Sequence, residues 1–345
     1  MVGRNFPSRG HPAQAGAVQR SESDAHPRHP DGLPADRRGG GRITNADRSH
    51  RAADPPGPAA LTGRAAAARW TLLELLHPIP SLLTTLAAAG FALIFGIGLG
   101  DARLWWIAAI MLLVQFSISA LNDWADADLD RQAGRRRPIP LGLVRPGTAL
   151  IVAVLCAVGA FLLSTLANFG TVALLLVGIG LACGWAYDLR FKGTPLSFLP
   201  FAIAFPLMPF WIGLLAGRPA SSLGVLFLGG SPLATAIHLA DAIPDRERDR
   251  AAGLRTLAVA LGRPGAEMVA AGLLLVGTLV SIVLVVRHGS TSIVGISLVA
   301  IAASLLVLSV SATVGRGSSA LLGKWMLVAA ASLSAVPLVV SASGR

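Results

Sequence analysis

The sequence predicts an all-α integral membrane protein, about nine transmembrane helices preceded by a disordered N-terminal tail. Three observations lead there. Of the 345 residues, 53% are hydrophobic and only 14% are charged, against roughly 25% in a soluble globular chain. From about residue 72 onward the chain runs as long apolar blocks separated by short polar loops, and several blocks reach the ~20 residues needed to cross a bilayer core. Backbone polar groups cannot stay unpaired in lipid, so such blocks must be helices, and the alternating short segments of a membrane barrel are missing. Finally, the basic residues alternate by side.

Residues 1–68 are rich in Arg, Gly, Pro, Ala, Ser and Asp. Such a composition buries too little apolar surface to offset chain entropy, which predicts a disordered basic tail. It lacks the apolar core of a signal peptide, and its acidic residues (Glu22, Asp24, Asp31, Asp36, Asp47, Asp54) argue against a transit peptide. Residues 69–345 form the membrane domain, with spans expected at 78–98, 103–121, 148–167, 170–187, 196–216, 222–240, 265–286, 292–313 and 322–341. Prolines interrupt the first and fifth: Pro78, Pro80, Pro200, Pro206 and Pro209. Cys156 and Cys183 fall inside apolar spans and read as small hydrophobes, not as a disulfide or a zinc site.

The net charge of +11 could point to nucleic acid, but its placement does not. One set of loops carries Arg131, Arg135, Arg136, Arg137, Arg145, Arg190, Lys192, Arg246, Arg248, Arg250, Arg255, Arg263, Arg316 and Lys324. The opposite set carries Arg103, Arg218 and Arg287. Under the positive-inside rule the first set and the N-terminus face the cytoplasm, which suits a cytoplasmic membrane protein.

Two acidic clusters sit on that side. The first is Asn122-Asp123-Trp124-Ala125-Asp126-Ala127-Asp128-Leu129-Asp130. If the second helix continues through it, Asn122, Asp126 and Asp130 share one stripe with Asp123 nearby, and Asp128 points away. In the second, Asp241, Asp245 and Asp249 recur every four residues, with His238 on the same face. Like charges at this spacing repel, and the low dielectric near a membrane sharpens the repulsion. Hard oxygen donors of this kind suit Mg²⁺, with Mn²⁺ as an alternative, and Mg²⁺ is typically held by one or two carboxylates plus phosphate and water. Carboxylate stripes facing each other across a cavity can clamp a diphosphate through bridging metals. A solvated acidic loop explains one such cluster better than two at matching helix ends. An EF-hand fails, because Arg131 stands where glycine is needed and Arg137 where the bidentate glutamate belongs. Arg137 is favoured as a phosphate contact because Pro138 and Pro140 restrict its backbone, with Lys192 as a further one. His77 reads as an interfacial histidine.

The motif Asn122-Asp123-x-x-Asp126-x-x-x-Asp130 followed by Arg137-Pro138-Ile139-Pro140-x-Gly142 resembles the first signature of the UbiA superfamily of intramembrane prenyltransferases. Asp245-x-x-x-Asp249-Arg250-x-x-Gly253 with Arg255-Thr256 resembles the second. Tyr187 and Lys192 resemble the tyrosine and lysine after the fourth span of that family. The likeness covers about residues 72–341. It implies a helix bundle around a central cavity, with both acidic motifs at a cytoplasmic mouth. It further implies Mg²⁺-dependent transfer from a polyprenyl diphosphate to an aromatic or other lipophilic acceptor drawn from the membrane lipid. The implied metal set is Asn122, Asp123, Asp126, Asp130, Asp241, Asp245 and Asp249, with Asp126, Asp130, Asp245 and Asp249 catalytic. Arg137, Lys192, Tyr187 and Arg255 are the implied diphosphate contacts. The rival expectation is an ion-coupled transporter using the acids as cation sites.

Overall fold

The structure, a computed structural model, describes residues 73–288 and 319–344. The tail expected over 1–68 and the eighth span at 292–313 lie outside the described residues. All regular structure among the described residues is helical. Five helical segments are long and apolar enough to cross a membrane, and three shorter apolar helices accompany them.

In chain order these are α1 (Pro78–Ile94), α2 (Ala102–Gln132), α3 (Pro146–Leu166) and α4 (Gly170–Ala186), whose end widens into a π turn at Tyr187–Phe191. There follow α5 (Leu199–Leu215), the single turn α6 (Ala220–Leu223), α7 (Val225–Ala242), the short α8 (Arg246–Ala251), α9 (Leu257–His288) and α10 (Ser319–Ser343). Neighbours in sequence pack as neighbours from α1 to α5. Beyond that, α7 packs on α5, α9 and α10, and α10 returns to touch α1. The described helices therefore close into a ring.

Lipid offers no hydrophobic drive for helices to associate, so close approach of small residues takes over. On α3 the buried stripe is Ala149, Ala153, Ala157, Ala160 and Ser164, spaced at three to four residues. Hydroxyls tie the helices where side chains meet. Ser117 Oγ donates to the Ala153 carbonyl (2.7 Å) and accepts from Trp185 Nε1 (3.1 Å), joining α2, α3 and α4. The prolines of the fifth span do not interrupt it. Pro206 removes the donor for the Ala202 carbonyl, and Ser231 on α7 supplies a replacement, its Oγ lying 2.7 Å from that oxygen. A freed carbonyl is tolerable at membrane depth only with such a substitute.

Two helix boundaries matter for function. The second helix does run on through the first acidic cluster, ending at Gln132. The second cluster, expected on one continuous helix, is broken: α7 stops at Ala242 and α8 starts after Asp245. Pro244 is the physical reason, since it lacks an N–H and its ring clashes with the preceding turn. Asp241 thus ends one helix and Asp249 belongs to another.

One tight crossing is that of α7 with α9. A Cβ at Gly277 would lie 2.5 Å from Leu233 Cγ and 2.9 Å from the Gly229 carbonyl oxygen. Because part of that obstacle is backbone, Gly277→Ala should destabilise the fold by about 1–3 kcal/mol. Gly272, on the same helix, has nothing within 4 Å of such a Cβ, and Gly272→Ala should be neutral or stabilising. Thermal unfolding of the two variants in detergent is the check; equal melting temperatures would contradict this account of the crossing.

Candidate active site

The long α2 delivers Asn122, Asp126 and Asp130 to one wall of a cavity of about 440 Å³. The opposite wall carries His238 and Asp241 from α7, then Asp245, Arg248 and Asp249 around the break and α8. Arg135, Arg137, Tyr187, Lys192 and Thr256 complete the rim. Two acidic arrays thus face one chamber, as expected. Asp128 is the expected outlier, 87% exposed and paired with Arg131.

Charge balance is local. Lys192 Nζ is hydrogen-bonded to Asp126 Oδ2, Arg135 Nη1 lies 2.8 Å from Asp130 Oδ1, and Arg248 Nη2 lies 2.9 Å from Asp245 Oδ1. Burial pushes the Asp249 carboxyl above the ordinary carboxylate range, and the Asp245 charge adds to the shift. Asp241 lines the cavity and is exposed.

Two expected residues stand elsewhere. Asp123 is buried and turns to His77, whose Nε2 lies 2.9 Å from Asp123 Oδ1. It does not contribute to the cavity wall, because residue 123 falls on the side of α2 facing the segment before α1. Arg255 is exposed and outside the cavity. Its backbone N–H donates to the Gly193 carbonyl (2.9 Å), so it joins two loops while the next residue, Thr256, reaches the chamber.

His77 and Asp188 gain a place that the sequence reading did not give them, and His238 gains partners on the face where it was expected. His77 sits in the left-handed region (φ 44°), strained for a residue with a Cβ, at the start of α1. Its Nε2 is 2.9 Å from Asp123 and 3.2 Å from Arg137 Nη1. That nitrogen either donates to the carboxylate or accepts from the guanidinium, not both. Asp188, buried in the π turn, accepts a hydrogen bond from Asn122 Nδ2 at 2.8 Å. His238, buried, shares a 2.9 Å hydrogen bond with the Ser197 hydroxyl and stacks on Phe201 with centroids 4.5 Å apart. Pro138, two residues before Pro140, was the visible hint that this loop is held rigid; nothing local marks Asp188.

Below the chamber lies a second cavity of about 250 Å³ with apolar walls from α2, α4 and α5, reaching down to Trp211. Tyr187 and Phe201 line both cavities, their rings packed edge to face at 4.9 Å. A polar compartment and an apolar one therefore meet at an aromatic rim.

The donors fit a divalent cation in chemistry, since they are hard carboxylate and amide oxygens. Among the described residues no three His, Cys, Asp or Glu side chains converge enough to hold a metal by themselves. Mg²⁺ generally takes one or two carboxylates and relies on phosphate and water for the rest of its shell.

The family model for UbiA prenyltransferases matches residues 81–328. A 4-hydroxybenzoate octaprenyltransferase of Vibrio cholerae is 31% identical over 222 residues, covering 64% of this chain and 77% of the relative. One of Vibrio atlanticus is 28% identical over 209 residues, covering 60% and 73%. Among solved structures, a UbiA homologue from Archaeoglobus fulgidus bound to GPP and Mg²⁺ superposes with a TM-score of 0.60 at 18% identity, covering 79% of this chain and 98% of that one. The apo structure of a UbiA homologue from Aeropyrum pernix K1 gives 0.59 at 20% identity, covering 79% and 98%. On the match to the family model and the identity to these relatives, the chain belongs to the UbiA prenyltransferase family and is an integral membrane prenyltransferase.

Proposed function

We propose that this chain moves a prenyl group from a polyprenyl diphosphate to an aromatic or other lipophilic acceptor, with Mg²⁺, at the cytoplasmic face of the cell membrane. The observation that carries the reading is a pair of adjacent cavities: a chamber with two acidic arrays and several cations, and an apolar pocket that shares Tyr187 and Phe201 with it. A prenyl diphosphate has that same division into a charged head and an oily tail. The names of the relatives, 4-hydroxybenzoate octaprenyltransferases, support an aromatic acceptor. The homologue bound to GPP and Mg²⁺ supports the donor and the metal.

Asn122, Asp126 and Asp130 from one wall, and Asp241, Asp245 and Asp249 from the other, would hold the metal. Mg²⁺ bound there supplies neutralisation of the charge that develops on the departing diphosphate. Lys192, Arg135 and Arg137 bring donors to phosphate oxygens. Lys192 and Arg135 now rest on Asp126 and Asp130, so an incoming diphosphate exchanges one set of partners for another. The allylic carbon then sits near the Tyr187–Phe201 rim, where ring faces favour positive charge. The apolar pocket takes the tail, and each methylene buried contributes about 0.8 kcal/mol. Basic loops on the site's side of the bundle support a cytoplasmic orientation of that side. The carboxylates stand at helix ends among arginines, not at mid-span, which disfavours an ion-coupled transporter.

Release of inorganic diphosphate by the purified protein tests this directly, with farnesyl or geranylgeranyl diphosphate and a pool of phenolic acceptors. Mg²⁺ should support release together with a new prenylated product, and EDTA should abolish both. Asp126→Ala and Asp245→Ala should each lower kcat by on the order of 100-fold or more while remaining folded. Near-normal turnover in either variant would remove that residue from the metal site.

Lys192→Gln separates a phosphate contact from a merely structural ion pair. Loss of a charge-assisted contact worth about 1.5–3 kcal/mol lowers kcat/KM by at least about tenfold. Full activity with a lower melting temperature would mean that the Lys192–Asp126 pair serves only folding.

A further inference from the structure

We propose that Asp188 is a positioning residue: it holds the Asn122 side chain so that the amide oxygen, and not the amide nitrogen, faces the diphosphate chamber. This rests on the metal-dependent reading above. Asn122 lines the chamber, whereas Asp188 lies behind it, buried and absent from the chamber wall. The 2.8 Å hydrogen bond runs from Asn122 Nδ2 to Asp188 Oδ1. An ionised carboxylate only accepts hydrogen bonds, so it must take the NH₂ end of the amide. The two ends of an amide are opposed across one carbon, and fixing the NH₂ against Asp188 turns the carbonyl oxygen the other way. A cation needs that oxygen; an NH₂ in its place would repel it.

The carboxylate is a costly choice at this position. Among the described residues Asp188 Oδ2 is buried with no hydrogen-bond partner, and an unsatisfied buried acceptor destabilises a fold. A neutral amide would fit the same space with less penalty, but it would lose the directional rule: its own NH₂ could donate to Asn122 and flip the ligand. The wide turn at Tyr187–Phe191 sets up the geometry, because the Lys192 N–H reaches back five residues to the Tyr187 carbonyl (2.8 Å). Tyr187 and Lys192 line the chamber while Asp188, between them in sequence, faces α2. π turns of this kind recur at functional sites.

The test is Mn²⁺ affinity, read by electron paramagnetic resonance on the full-length protein in detergent with inorganic diphosphate present, and so independent of turnover. Asp188→Asn, isosteric with the parent, should weaken Mn²⁺ about 10-fold or more, as loss of an orienting partner does at other metal sites. Asn122→Ala should weaken it similarly, and the Asn122→Ala/Asp188→Asn pair no further than Asn122→Ala alone. The exchanged pair, Asp188→Asn with Asn122→Asp, keeps the hydrogen bond with donor and acceptor reversed and leaves a carboxylate oxygen for the chamber. It should regain parental affinity, and it keeps the test decisive if Asp188→Asn alone does not fold. Unchanged affinity in Asp188→Asn, additive losses in the double variant, or no recovery in the exchanged pair each overturn the proposal. A parent protein that binds no Mn²⁺ overturns the metal reading itself, a distinct result.

Discussion

Carboxylates crowded at the edge of a low-dielectric bundle cannot stand without counter-charge, and the elements around the site are arranged by that need. Asp126 draws Lys192 across from the π turn, Asp123 draws His77 from the segment before α1, and Asp130 draws Arg135 from the loop after α2. Two of these pairs, Asp126–Lys192 and Asp123–His77, link segments far apart in sequence, so charges at and behind the chamber also fix its walls. On the proposed reading they are provisional partners: a bound polyanion with its cations would offer the acids and the bases a second set.

Below this charged layer the bundle obeys a different rule. Every carbonyl freed by proline must find a donor, and every close helix crossing must be built from small residues. Ser231 on the Ala202 carbonyl and Gly277 against Leu233 are instances of each. The apolar pocket lies between α2, α4 and α5, with the repaired α5 forming one wall.

The helical fold was legible because its signal is long and repeated: apolar blocks, charged loops on one side, and acids spaced by four on α2. Asn122, Asp126, Asp130, Asp241, Asp245, Asp249, Arg137, Tyr187 and Lys192 all reach the one chamber. What escaped is what depends on local backbone departures. Periodicity drew the second acidic stripe as a single helix, although Pro244 was there to be read as its break. Asp123 lies close to the stripe by angle, yet a histidine in a left-handed conformation claims it. Arg255 was assigned by motif, but Thr256 beside it holds the inward position. Asp188 has no sequence signature, since nothing in Tyr187–Phe191 distinguishes a π turn from the end of an ordinary helix.

The shared aromatic rim carries a consequence for fidelity. On the proposed reading, a donor seated across Tyr187 and Phe201 would have its leaving group in the polar compartment and its reacting carbon at the threshold of the apolar one. Whether that carbon meets the acceptor or a water molecule then depends on how tightly two rings close a doorway. A loosened doorway would reveal itself as free prenyl alcohol accumulating beside the product.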